Sequence, residues 1–428
     1  MYWNRFTLST LLALGCACAQ AADPPAAPAV TLRQVMAAAA TNADANIARL
    51  GVDAGRADVR AADHAPMPVL SAKAASIDLQ NGVGAGNPLT RKRIDKGVGV
   101  DWTWERGNKR ALRTRAAEDT LQALQADAEQ VRLAQQQQAQ DAFWELLAAQ
   151  ERLAEITAIG DDARSLGGIA DRRLRVGDLS EQDALRIRVE SDRAQADVRS
   201  ARLDVQRAAL ALHQLTRLGD ESAAGATLRA EGDWPTADAL PAVDAGGATW
   251  SLLADRQPEV RAARARATAA QAALDGALAL KKTDVTWGAS FDHYPGTSNR
   301  LLELRLSIPL QVGYAHEGEI GRAQAELAQA QESLTQAQLR AQGNVQRMAL
   351  ELGAVAARAR DYDGLVLPRA RQAEDRAQLA YERGALPLSD LLDARRTLRS
   401  VVLEALSTRA DHAKAAGAWL LLHSQQAP

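Results

Sequence analysis

Cysteine and aromatic residues are scarce in this chain. Of 428 residues two are Cys, three Phe and five Tyr, and aromatics make up 4%. Both cysteines, Cys16 and Cys18, fall in the first twenty residues. The remainder therefore offers no thiol for a disulfide framework or a thiolate metal site. Charge of one sign is also missing: 51 basic and 53 acidic residues are interspersed, for a formal charge of -2. Without a basic block or aromatic–basic interleaving, nucleic acid is not an expected partner. Beyond the leader no run approaches the about 20 apolar residues of a spanning helix, so a membrane crossing would have to use strands. Proline is absent from 89 to 234, which leaves room for very long helices.

The first residues read as a targeting segment, 1–21. Arg5 supplies the positive flank, Leu8 to Cys18 the short apolar run, and Ala19-Gln20-Ala21 an A-x-A cleavage site. A lipoprotein reading competes, with Cys16 acylated after Ala13-Leu14-Gly15.

What is abundant is alanine, leucine, glutamine and arginine, a composition for long helices packed through small side chains. Helix is expected over 32–65 with Thr31 as N-cap, ending at Pro66-Met67-Pro68. Strands are expected at about 69–79 and 98–104, flanking a Gly/Asn/Pro loop. A long helical hairpin follows over about 108–218, with its first helix ending or bending near Gly167-Gly168 or Gly177. Ser180 can cap its second helix, with Asp183 completing an S-x-x-D box. Residues 219–256 read as a linker. Strands at about 284–294 and 301–310 and a second hairpin over about 317–424 complete the chain, with Pro368 kinking the latter.

The halves repeat each other. Residues 177–185 and 384–392 both fit G-x-L-x-x-x-D-x-L, between long helical stretches in each case. The expected organisation is a first repeat at 22–218, the linker, and a second repeat at 257–428, with the first strand hairpin carrying the longer loop.

The strands alternate. Val98, Val100, Trp102 and Trp104 oppose Gly99, Asp101 and Thr103; Val285, Trp287, Ala289 and Phe291 oppose Thr286, Gly288, Ser290 and Asp292; Leu302, Leu304 and Leu306 oppose Glu303, Arg305 and Ser307. A transmembrane barrel needs this apolar-out, polar-in dyad. A water-soluble sheet half buried against helices shows it too. Trp102, Trp104, Trp287 and Phe291 are the candidate membrane-facing aromatics. Four strands cannot close a barrel with a lumen, so a spanning structure would be shared between copies.

With the leader, the repeated helix–strand–strand–helix–helix unit and the paired G-x-L-x-x-x-D-x-L, the chain resembles the TolC-type outer-membrane factor (outer membrane efflux protein) family over essentially its whole mature length. Pro66-Met67-Pro68-Val69-Leu70-Ser71, Glu105-Arg106-Gly107-Asn108-Lys109-Arg110 and Ile308-Pro309-Leu310 are similar to its CzcC-like heavy-metal branch. Met67 stands where that branch usually has Asn.

The fold implied by the resemblance is an α+β membrane protein. Long antiparallel coiled-coil helices form a periplasmic α-barrel, and four strands per copy enter a shared trimeric outer-membrane β-barrel. The function implied is the passive exit duct of a tripartite RND-type efflux system, exporting heavy-metal cations, in the outer membrane of a Gram-negative bacterium. The expected partners are two further copies, a periplasmic adaptor, an inner-membrane RND pump and outer-membrane lipid. No enzyme activity and no cofactor are expected. An exit duct for drugs, organic solvents or type I secretion is the alternative within transport. A periplasmic helical scaffold whose strands never meet lipid is the alternative outside it.

The resemblance also places sites. Val176, Gly177, Asp178, Leu179 and Ser180, with Gly384, Ala385, Leu386 and Pro387, match the hairpin tips that meet the adaptor, where the leucines would project as apolar knobs. A plain structural turn would need the same glycines. Glu374 and Asp375 match the place of an acidic ring at the periplasmic entrance, against the reading of ordinary solvated helix charges. Arg91, Lys92 and Arg93 in the long loop could meet lipopolysaccharide phosphates or simply keep the loop solvated. The six histidines, His64, His213, His293, His316, His412 and His423, never pair at metal-ligand spacing on one helix face.

Overall fold

A computed structural model describes residues 28–75, 94–219, 228–236, 247–294 and 298–424. The targeting segment with Cys16, the loop residues Arg91, Lys92 and Arg93 and part of the linker lie outside the described residues.

Strand β1 (Ala29–Val30) leads into helices α1 (Leu32–Ala39) and α2 (Ala43–Ala62). Thr31 caps α1 through a reciprocal box: its side chain accepts from Gln34 N–H, and Gln34 Oε1 accepts from Thr31 N–H at 2.9 Å. Strands β2 (Val69–Ala75) and β3 (Asp95–Trp104) follow, then α3 (Lys109–Arg175) and α4 (Glu181–Thr216). The 67 residues of α3 make a rod about 100 Å long. Next come β4 (Arg229–Ala230), α5 (Gly247–Asp255) and α6 (Pro258–Ala279). Strands β5 (Val285–Tyr294) and β6 (Ser298–Ser307), α7 (Glu317–Asp361), a π-helical turn over Tyr362–Val366, α8 (Leu367–Glu382) and α9 (Leu388–Ser424) complete the order.

The same sequence of elements appears in both halves. The long helices α3 and α7 each start after a residue in the left-handed region, Asn108 (φ 55°) and His316 (φ 62°).

Four strands form one antiparallel sheet in the order β2-β3-β5-β6, while β1 and β4 pair in parallel. The two hairpins are stitched by β3 and β5, in a register running from Trp104 opposite Val285 to Lys96 opposite His293. Helices enter and leave the sheet at one end, so its hairpin loops share the other.

Long helices this poor in aromatics pack through alanine. Buried Ala123, Ala126, Ala139, Ala194 and Ala201 line the approach of neighbouring helices. Larger side chains gather midway: Val35, Phe143, Trp144, Leu146 and Leu212 form one cluster beside the β1–β4 pair. Val260, Val345, Leu352, Trp419 and Leu422 form another.

The two helical hairpins meet through a polarised ladder of ion pairs. Glu145, Glu151, Glu155, Glu190 and Asp197 of α3 and α4 face Lys414, Arg409, Arg371, Arg396 and Arg399 of the second hairpin. Lys414–Glu145 spans 2.6 Å and Arg396–Glu190 3.1 Å. Every acid lies on the first hairpin and every base on the second.

Several sequence expectations can be set against the structure. Of the two end points expected for α3, the helix runs through Gly167-Gly168 and stops at Arg175, just before Gly177. A Cβ built on Gly160 would lie 3.0 Å from Val198 Cγ2, and one on Gly167 3.7 Å from Ser191. These glycines bring α3 close to α4 and do not end it. The interruption expected at Pro368 is present and takes the form of the π-helical turn, where Leu367 N–H bonds to Tyr362 C=O, five residues back. Finally, β6 is Ser298–Ser307, not 301–310. Pro309 has no N–H to give, so pairing ends where Ser307 meets Thr286.

Candidate functional site

The sheet has two unlike faces. On one, register aligns Leu70 with Val100, Trp102 with Trp287 and Leu306, and Val98 with Phe291 and Leu302. Trp102, Trp104, Trp287 and Phe291 are all exposed, as are Leu302 and Leu304, the last at 77%. Among the described residues no helix covers this face, unlike the half-buried sheet of a water-soluble protein. Among the described residues no helix is long and apolar enough to cross a membrane.

The opposite face is charged and hydroxylated. Arg305 Nη2 donates to Asp101 Oδ1 at 2.8 Å, Lys73 Nζ donates to Tyr294 OH at 3.1 Å, and Thr103 and Thr286 hydroxyls lie 3.0 Å apart. Ser290 Oγ donates to Asp292 Oδ2 at 2.6 Å. The alternation in sequence pointed to this face, but the partners could not be seen without the register between strands.

At the far ends of the helices, the repeated glycines do the same backbone work. Gly177 (φ +80°) and Gly384 (φ +72°) follow the last turns of α3 and α8. Gly177 N–H bonds to Leu174 C=O at 3.1 Å and Asp178 N–H to Arg173 C=O at 2.9 Å. In the second tip Gly384 N–H bonds to Tyr381 C=O and Ala385 N–H to Ala380 C=O, both at 2.9 Å. Each is a Schellman stop, which needs a left-handed residue at this position.

The helices that leave the tips start differently. Ser180 caps α4, accepting from Asp183 N–H at 3.1 Å. Pro387 offers only its carbonyl, which takes Asp390 N–H at 3.2 Å. Leu179 and Leu386 are half-buried, tucked at the turn and not standing out as the expected knobs. The large apolar side chain exposed at the first tip is Val176, at 78%.

The acidic pair above the second tip divides. Glu374 turns into the hairpin, where Arg395 Nε lies 3.3 Å from its Oε1. Asp375 alone is exposed. Adjacent residues on a helix point about 100° apart, so only one can face a common axis.

Of the histidines, His213 Nδ1 lies 2.7 Å from Leu218 C=O and His423 Nδ1 2.9 Å from Trp419 C=O. His412 is buried, and its surroundings hold its pKa below the ordinary value, by desolvation first and by Arg360 second. Asp141 is half-buried and pushed up to about 6 by burial, with Lys414 acting in the opposite direction. Among the described residues no three His, Cys, Asp or Glu side chains converge as metal ligands.

Residues 35–216 match the sequence model of the family "outer membrane efflux protein". The chain is 29% identical over 294 residues to the cobalt-zinc-cadmium resistance protein CzcC of Cupriavidus metallidurans, covering 69% of this chain and 68% of that one. Its fold is that of the CmeC outer membrane channel of Campylobacter jejuni, with a TM-score of 0.75 at 13% identity over 92% of this chain and 85% of that one. It is also that of the outer membrane protein VceC of Vibrio cholerae, with a TM-score of 0.72 at 17% identity over 92% and 95%.

Proposed function

We propose that this chain, whose residues 35–216 match the outer membrane efflux protein model and which is 29% identical to a CzcC protein, is the passive exit duct of a tripartite RND-type efflux system and exports divalent metal cations. Three copies each contribute four strands to a twelve-stranded barrel, with the apolar face in lipid and the charged face on a water-filled lumen. The helices continue into the periplasm as a tunnel of packed hairpins. Six glycine-stopped tips, two from each copy, meet a periplasmic adaptor that joins the duct to an inner-membrane pump.

One observation carries this reading: a sheet with an uncovered apolar face opposite a charged one, set at the end of the helices remote from both tips. The open edges at β2 and β6 would leave backbone groups unpaired in lipid, which a second copy remedies by pairing. Metal cargo is supported by the 29% identity to a cobalt-zinc-cadmium resistance protein. Asp375, repeated about a three-fold axis, supplies a cation-favouring ring near the tunnel mouth.

Two experiments test the proposal. Envelope fractionation should recover a heat-modifiable trimer in the outer membrane; a soluble periplasmic monomer would sink the duct. Deleting the gene should lower tolerance to cobalt, zinc or cadmium. A loss confined to drugs or solvents would move the cargo to organic solutes.

A further inference from the structure

Three rows across the polar face of the sheet share a feature. In the first, Ser71, Gly99 and Ser290 stand in register on β2, β3 and β5; in the second, Lys73, Gly97 and Asp292 do. In the third, Asp101, Gly288 and Arg305 stand on β3, β5 and β6. Each row of polar side chains contains one glycine, and the described strands carry no glycine on the apolar face.

Glycine weakens a strand, so it marks a place where something must come close to the backbone. Here it is a side chain. A Cβ on Gly97 would fall 1.9 Å from Asp292 Oδ1, and one on Gly288 2.4 Å from Asp101 Oδ1 and 3.2 Å from Arg305 Nε. A Cβ on Gly99 would fall 2.9 Å from Ser290 Cβ. Asp101 and Arg305 sit on strands two spacings apart, about 9–10 Å, yet bond at 2.8 Å because both lie down across Gly288. Asp292 is a carboxylate only 1% exposed, laid over Gly97 and held by Ser290.

We propose that Gly97, Gly99 and Gly288 set the bore of the duct, by giving the charged lining a trough in which to lie flat against the wall. The inference rests on the duct reading of the sheet. The glycines act as positioning residues: they touch no cargo, but they decide whether Asp101, Arg305 and Asp292 hug the sheet or stand into the lumen. Three copies of the chain multiply the effect around the barrel. A wall of this kind suits hydrated cations, which need clearance for their water and a charged surface at its edge.

The test is polymer exclusion in planar lipid bilayers, with polyethylene glycols of graded size added on the side of the hairpin loops, which reads the barrel mouth separately from the tunnel. For Gly97→Ala and Gly288→Ala the proposal expects the largest polymer that enters to become smaller than in the wild type. The triple variant Gly288→Ala with Asp101→Ala and Arg305→Ala should regain at least the wild-type cutoff. If Gly288→Ala alone cannot assemble, assembly restored in the triple variant supports the same crowding. Alanine variants that form channels with the wild-type cutoff would overturn the proposal while leaving the duct intact. A wild-type protein that forms no channels would overturn the duct reading beneath it.

Discussion

Gly177 and Gly384 hold the same left-handed backbone at the ends of two different helices, each closing its helix with the same pair of bonds. Nothing lies within 4 Å of a Cβ built on either. Alanine at these positions therefore meets no clash, and its cost is conformational, about 1 kcal/mol per site. The expected outcome is a small loss of melting temperature for Gly177→Ala or Gly384→Ala, additive in the double variant because the tips are separate turns. If the tips are docking points, cross-linking to the adaptor falls much further than stability does. Equal falls in both would leave them as structural turns only.

Gly417 is a different case. A Cβ there would land 1.2 Å from Gln140 Nε2 and 2.2 Å from its Cδ, in the buried contact of α9 with α3. Gly417→Ala should cost about 2 kcal/mol, the scale of overpacking a filled core. Gln140→Ala in the same chain should recover most of it, because Gln140 Nε2 makes no hydrogen bond that would be lost. Denaturant midpoints of the four proteins in the cycle measure the coupling.

These two glycine classes show what could be read before the structure. A turn glycine leaves a local signature, since the helix pattern stops, the residue repeats and a cap such as Ser180 follows. The alternation of β3, β5 and β6 is equally local. Gly417, Gly288 and Gly167 look alike in sequence but answer to residues 277, 187 and 24 positions away: Gln140, Asp101 and Ser191. Only register and helix packing show that one clears a core glutamine, one seats an ion pair and one brings two helices together. The β1–β4 pair was illegible for the same reason, joining two-residue strands some two hundred positions apart. The acidic pair at Glu374 and Asp375 was readable as a location but not as two orientations.

Asp141 should make stability fall as pH rises. Burial raises its pKa in the folded state to about 6, above the about 3.9 of an unfolded chain. The folded protein thus holds the proton more tightly between these values, and that stabilisation is lost as pH rises through about 6. Asp141→Asn should melt higher than the wild type at pH 8, with the gap closing toward pH 4. His412 works in the other direction. Its folded pKa is depressed, so its contribution is present above about 6.5 and lost as pH falls through the folded value. His412→Gln should flatten the acid limb of the same curve.

The ladder between hairpins predicts a charge-swap rescue. Arg396→Glu places like charges across from Glu190 and should loosen the hairpin contact. Adding Glu190→Arg should restore it. These side chains are partly exposed, so the coupling is about 1 kcal/mol or less and shrinks in high salt. Melting curves at low and high salt measure it, and a salt-independent effect would show that shape and not charge is at work.

Which face of the sheet meets lipid is the claim on which the rest depends. Both cysteines of the chain lie within the expected leader, so in a protein with Cys16 and Cys18 replaced or removed by cleavage before Ala22, single cysteines along β6 are its only thiols. Labelling Leu302→Cys, Glu303→Cys, Leu304→Cys, Arg305→Cys and Leu306→Cys in intact outer membranes with a water-soluble, bilayer-impermeant thiol reagent tests that claim directly. Labelling is expected at 303 and 305, and protection at 302, 304 and 306. Labelling at all five positions would contradict it, and would return the sheet to water.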